Sequence, residues 1–371
     1  MQATLVVVTV VRSLILLALL AAPRASLGYD VTGRFSIGGL VAGAMQCQKL
    51  TDDGTDDTCR GAVAAQPEFR FQPSDAGEVS IKLGFSSGNA LEAVSPFSIP
   101  VWAADLEDGV RHINGSGRSH LLTASYRHRF ETGPGETLHI TAGFIDATDY
   151  LDGNAYANDE FSQFMNGALV NSPNGFVPSY DAGIALEWDT GNWSMRGVYM
   201  RVNSNDIDRG YDYLGLQAGY RVRSALGEGN LRLLFQETSR DFAAAQGAAE
   251  VPRRAWIVSI DQALAETFGV WARLGWQDDA AAIDFKSLYS GGVNLRGSRW
   301  TRPADDIGIG AALVRGGNLD IAESRVFEGY YRVVLSPPLS VTADVQHVTE
   351  ITRTMGRISG WVFGLRMTML F

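Results

Sequence analysis

The chain has 371 residues and a formal charge of −10, with 41 acidic residues against 31 basic ones. That balance excludes a nucleic-acid partner, because no basic domain is present to neutralise phosphates. After Gly28 no apolar run approaches the roughly 18 residues that a membrane helix needs, so a helix-bundle membrane protein is excluded too.

Residues 1–28 carry an early charge at Arg12, an apolar run from Leu14 to Ala22, and small residues at Ser26 and Gly28. This predicts a secretory signal with cleavage after Gly28, leaving 29–371 as a single exported domain. Cys47 and Cys59 follow in a polar segment. In an oxidising compartment they are expected to form one loop disulfide. Two Cys without a nearby His do not complete a tetrahedral zinc set. The acidic run Asp52–Asp57 lacks the spacing and terminal Glu of a calcium loop, so no metal and no cofactor is expected.

From Asp30 onward apolar and polar residues alternate with a period of two. At the C-terminus, Trp361, Phe363, Leu365, Met367, Met369 and Phe371 share one face, opposite Val362, Gly364, Arg366, Thr368 and Leu370. Such segments predict strands at 31–45, 63–73, 76–86, 118–130, 136–145, 180–190, 192–203, 211–223, 229–239, 253–262, 267–277, 285–297, 304–315, 325–335, 339–349 and 359–371. There are sixteen, mostly long enough to cross a bilayer at a tilt. The connections alternate. Those at 46–62, 87–117, 146–179 and 240–252 are long, and those at 74–75, 131–135, 191, 224–228, 263–266 and 336–338 are short. The expected fold is therefore all-β: a transmembrane antiparallel β-barrel of sixteen strands with short periplasmic turns and long external or inward loops.

If the apolar faces meet lipid, the other faces line a lumen too wide for side chains to fill. The candidate wall residues are Arg127, Glu187, Arg196, Arg232, Trp271, Arg273, Glu328 and Arg332, together with Lys82, Gln217, Gln236, Asp261, Tyr330, Asp344, Gln346 and Arg366. The outward aromatics Tyr126, Trp188, Trp193, Tyr199, Tyr220, Trp256, Trp276, Tyr331 and Phe371 fit interface girdles. The segment 146–179 breaks the alternation. It is rich in Asp and Asn, and it holds one helix-compatible run, Asp159–Leu169, with Asp159 as its N-cap. Its aromatics argue for a packed loop rather than a disordered one. With 87–117 it is expected to fold inward as a constriction. The charged groups there are Asp105, Glu107, Asp108, Arg111, Asp146, Asp149, Asp152, Asp159 and Glu160, and Trp102, Tyr150, Tyr156 and Trp271 are candidate stacking platforms for a sugar ring.

Several runs resemble the carbohydrate-selective porins of the OprB type. They are Ala104–Asp108, Ile113–Gly115, Leu121–Tyr126, and above all Gly143–Asp152 with Asn154–Glu160, Gln163–Asn166 and Ala168–Asn171. Tyr180-Asp181 leading into Ala185–Trp188, and Glu328–Val333 with Leu339–Gln346, are similar to the same family. After Gln346 the family usually continues with an aromatic or aliphatic residue and a Pro, whereas His347-Val348-Thr349 stands here. The resemblance implies an outer-membrane channel for diffusion of small neutral sugars, with inward loops narrowing its lumen. The expected surroundings are outer-membrane lipid and lipopolysaccharide, and Phe371 is the expected contact for the barrel-assembly machinery. Nothing in the residues marks a subunit interface. Two other readings stay open: a general or anion-preferring porin, favoured by the lumen arginines, and a non-conducting adhesive or enzymatic barrel. The enzymatic reading needs a convergent Ser and His, and His112, His120, His128, His139 and His347 are scattered.

Overall fold

The computed structural model describes residues 28–51, 57–204, 208–247 and 249–371. The expected signal segment up to residue 27 and residues 52–56 of the acidic run lie outside them. The alternating segments form sixteen barrel strands: β1 Phe35–Leu50, β2 Thr58–Ser74, β3 Gly77–Leu83 continued by Phe85–Ser87, β4 Leu121–Gly133, β5 Glu136–Ile145, β6 Asp181–Thr190, β7 Trp193–Val202, β8 Tyr211–Ser224, β9 Gly227–Thr238, β10 Arg254–Leu264, β11 Phe268–Gln277, β12 Phe285–Arg296, β13 Asp306–Gly316, β14 Ile321–Ser336, β15 Leu339–Thr352 and β16 Gly356–Leu370. Each pairs antiparallel with the next in sequence. The ring closes where β16 pairs with β1, from Leu40 opposite Leu370 to Leu50 opposite Gly360. Closure leaves the barrel itself no edge strand, so each barrel strand has a hydrogen-bonding neighbour on both sides.

The register turns the sequence alternation into two chemically distinct surfaces. Between β15 and β16, Val345 faces Phe363 and Ala343 faces Leu365 on the outer side; Gln346 faces Val362 and Thr342 faces Arg366 on the inner side. Leu365 is 58% exposed and Arg366 is fully covered. The outer surface carries exposed Leu216, Leu231, Trp256, Phe327, Phe363 and others all round the barrel. An apolar surface of that extent belongs in lipid. Trp193, Tyr199, Tyr220, Trp276 and Phe371 are exposed on it, as the girdle reading expects.

Two boundaries that face each other differ from the sequence reading by five residues each. β1 runs to Leu50 and β2 starts at Thr58, so most of the long connection expected at 46–62 is a continued ladder. On the outward face here stand Cys47 and the charged Lys49, while Gln46 and Gln48 are covered inside, and strand pairing that extends above the lipid needs no apolar outer face. Cys47 and Cys59 are direct cross-strand partners in that extension and are joined by a disulfide. The hairpin is already zipped by its ladder, so reduction is expected to lower the thermal midpoint of unfolding by a few degrees and leave the conductance unchanged. Heat-modified gel mobility with and without reductant checks this. A second correction concerns the run 159–169. It is not one helix: Asp159 caps a turn, accepting from Phe161 N at 2.8 Å, and the helix is the single turn Gly167–Val170, capped by Asn166 Oδ1 accepting from Ala168 N at 3.0 Å.

Candidate functional site

Both long loops lie inside the barrel, and the inward side chains hold them there. The segment 146–179 crosses the lumen and docks on β8 to β16. Arg273 on β11 is its chief anchor. One Nη donates to Leu169 O and Val170 O at 3.2 Å each, the other to Asp152 O at 2.9 Å and Ala157 O at 3.0 Å, and Nε lies 2.9 Å from Asp152 Oδ1. A planar fork with five donors suits four converging carbonyls and a carboxylate in a way that Lys does not. Asp152 sits at φ 59°, a left-handed conformation, which this ion pair and its acceptance from Ser172 N at 3.0 Å hold in place. On β16, Arg366 donates to Glu160 O at 2.6 Å and Gln163 O at 2.9 Å. Glu328 on β14 accepts from Met165 N at 2.5 Å and Asn166 N at 3.0 Å. Gln217, Ser259 and Asp261 hold Asp152 N, Asn154 and Ala155 N. Small wall residues leave the room: a Cβ on Gly275 would fall 2.3 Å from the Asn174 amide, and one on Gly269 would fall 2.2 Å from the Tyr156 ring.

The segment 87–117 seals the β1 and β15 side. Val101 O accepts from Gln46 at 3.0 Å and from Gln346 at 2.8 Å, and Ser98 binds Glu350. The two loops also bind each other: Trp102 Nε1 donates to Glu160 O at 3.1 Å, Ala103 N to Met165 O at 2.8 Å and Gly167 N to Pro100 O at 2.9 Å. Glu107, Asp108 and Arg111 lie on or beside the one-turn helix Glu107–Arg111 and fasten the start of this loop. Glu107 accepts from Gly88 N and pairs with Arg111, and Asp108 bonds Asn89.

Several candidate wall residues therefore do not meet water. Trp102, Trp271, Arg273 and Glu328 are at most 4% exposed, so neither Trp is open to a sugar ring and neither charge faces a solute. Trp271 packs edge-on against Phe164, with centroids 5.6 Å apart. Asp152 is equally covered, and Asp159 is spent on its turn.

The open wall is the arc from β2 to β7. There Lys82 Nζ on β3 lies 4.0 Å from Asp149 Oδ2 on the loop, with about 25% and 50% of the two side chains open. Glu68 is the cross-strand neighbour of Lys82. Tyr180 Oη donates to Asp105, and Asp146 accepts from Thr148 and from Ser179. Burial pushes the carboxyls of Asp105 and Asp146 upward, and burial, opposed by Lys82, pushes Asp149 up to about 6. Below this level runs a paired ladder: Arg127 to Glu187 at 2.8 Å, Arg196 to Asp189 at 2.9 Å and to Glu187 at 3.7 Å, Arg232 to Asp261 at 2.5 Å, and Arg332 to Asp306 at 2.6 Å. Between the loops opens a cavity of about 390 Å³, lined by Glu92, Ile99, Pro100, Thr148, Asn171, Ser172, Val177 and Phe285 among others.

A loop-filled closed barrel fits several outer-membrane channels, and comparison with known proteins decides among them. The sequence profile described as carbohydrate-selective porin, OprB family, matches residues 104–371. The chain belongs to this porin family. An uncharacterized protein of Aquifex aeolicus is 28% identical over 295 residues, covering 78% of this chain and 82% of that one. The porin's fold matches the high-pH structure of Pseudomonas putida OprB with a TM-score of 0.72 at 14% identity, over 91% of this chain and 94% of that one. It also matches the outer membrane channel DcaP of Acinetobacter baumannii with a TM-score of 0.56 at 10% identity, over 93% and 99%.

Reading alone missed some residues that shape the porin's lumen. Glu68 stands on the polar face of the second predicted strand, and its parity was a usable signal. Asn114 is a clasp: its amide donates to Ser179 O at 2.6 Å and Asp181 Oδ2 at 2.9 Å. No local signal marks that role.

Proposed function

We infer that the protein, a member of the carbohydrate-selective porin family, works as an outer-membrane sugar channel. We propose that neutral sugars cross it between the docked loops and the β2–β7 wall, stepping from the cavity of about 390 Å³ past Lys82 and Asp149 to the Arg127, Glu187, Arg196 and Asp189 ladder. The observation that carries this reading is the distribution of lumen charges. On the β8–β16 side Arg273, Glu328 and Arg366 are fully covered by the loop, whereas Lys82 and Arg127 on the opposite arc, with Asp149 facing Lys82, stay partly open. A ladder of guanidinium and carboxylate groups already paired with each other exchanges hydrogen bonds with hydroxyls without stranding a charge. The pairing also keeps each contact weak, as a passage requires. Tyr150 and Tyr156, half-buried, are the remaining aromatic candidates. Outer-membrane lipid surrounds the barrel in this reading, and Phe371 is the contact for the assembly machinery.

The reading includes no covalent chemistry. His347 Nε2 lies 3.3 Å from Ser359 Oγ, but that hydroxyl is shared with Thr349 Oγ1 at 2.9 Å, Ser359 is 4% exposed, and the ring leans on Trp361. Replacing Arg127 and Arg196 together by Ala is expected to weaken sugar block of the ion current about tenfold, equivalent to roughly 1.4 kcal/mol. Half-saturation of the block by glucose measures it. An unchanged value removes the ladder from the route.

A further inference from the structure

The lumen arginines suggest an anion-preferring pore if they are only counted, but their positions say otherwise. Arg273 and Arg366 are fully covered and committed to the loop. Arg127 and Arg196 are matched by Glu187 and Asp189, Arg232 by Asp261, Arg332 by Asp306, and Arg70 by Glu68 at 2.9 Å. The pairs cancel, and the local field at the narrow level is set by what is left over. Among the described residues that remainder includes Lys82 on the wall, facing Asp149, Asp146 and Asp105 on the two loops, with Glu92 and Glu160 close by. Lys82 is one of three lysines in the chain, the others being Lys49 and Lys286.

We propose that Lys82 and Asp149, backed by Asp105 and Asp146, form a charge filter that favours cations and holds back anionic sugars such as aldonates, uronates and sugar phosphates while neutral sugars pass. The inference rests on the porin reading for the existence of the passage and adds the charge class of its solutes. The sign depends on pH. The groups around the pair are Glu68 with Arg70 from β2, Asp105 and Glu92 from one loop, and Asp146, Tyr180 and Glu160 from the other. Asp149 is negative above about pH 6 and neutral below it. As pH falls through that value, Lys82 loses its opposing charge and the cation preference collapses or inverts.

Reversal potentials across a KCl gradient in planar bilayers test this at about pH 5 and about pH 8, either side of that carboxyl. The intact porin is expected to prefer K⁺ over Cl⁻ severalfold at the higher pH and to lose that preference at the lower. Asp149→Asn is expected to hold the low-pH value at both. Lys82→Met is expected to move the preference toward cations at both, an opposite displacement that damaged folding would not produce. In proteoliposome swelling at the higher pH, gluconate is expected to enter severalfold more slowly than glucose. Anion preference at the higher pH, equal entry of the two solutes, or full pH dependence surviving in Asp149→Asn would overturn the filter. A pore with the expected ion preference that ignores glucose would keep the filter and overturn the sugar route instead.

Discussion

Replacing Arg273 by Ala is expected to raise the single-channel conductance severalfold and to make the open level noisy. The side chain is fully covered and meets a converging set of loop groups: the carbonyls of Leu169, Val170, Asp152 and Ala157 and one oxygen of the Asp152 carboxylate. Removing it leaves a buried carboxylate unpaired, a change that costs about 3–5 kcal/mol where one partner of a buried ion pair is lost. That is a large share of what docks a loop against a wall. The barrel itself does not depend on this residue, because its ladders are complete without the loop. The loop should therefore detach locally while the strands stay folded. Arg273→Lys is expected to restore only part of the effect, since an ammonium does not span four carbonyls and a carboxylate. Protease sensitivity at 150–176, measured beside conductance, reads the same release. A variant with wild-type conductance and protected loop would show that Arg273 does not hold the constriction.

Placing a charge on the outer face has the second-largest expected effect. Leu365 is 58% exposed in the middle of β16, directly beside fully covered Arg366. Leu365→Arg is expected to lower the folding free energy into lipid vesicles by about 2–4 kcal/mol, as for a guanidinium near the bilayer midplane. The neighbouring residue already is an arginine, so the effect comes from the face rather than from the residue type. Urea titration of folding into vesicles gives the value. A change near zero would mean that this face does not meet hydrocarbon.

The contrast between Leu365 and Arg366 also shows what is legible without a structure. Period-two alternation fixes which side of the barrel each residue takes, and sixteen segments with alternating loop lengths make the closed barrel the natural solution. The upper ends of β1 and β2 escape this reading because the outward face there carries Cys47 and Lys49 rather than apolar residues, and pairing continues above the lipid without an apolar face. The site is less legible. Parity places Arg273, Glu328 and Trp271 inside, but a residue that lines water and one that anchors a loop carry the same pattern. Which of the two it is depends on the path of a segment more than 100 residues away in sequence for Arg273 and more than 160 away for Glu328. The same limit applies to charge. A count of lumen arginines points to anions, whereas pairing in three dimensions leaves Lys82 facing three carboxylates.

The central claim is a sugar-conducting passage kept narrow by a docked loop. It is tested most directly by single-channel recording of the mature protein in a planar bilayer while glucose is titrated in. The account predicts a small, steady conductance that falls in a saturating way as glucose enters the passage. A large conductance indifferent to sugar, or no conductance at all, would contradict it.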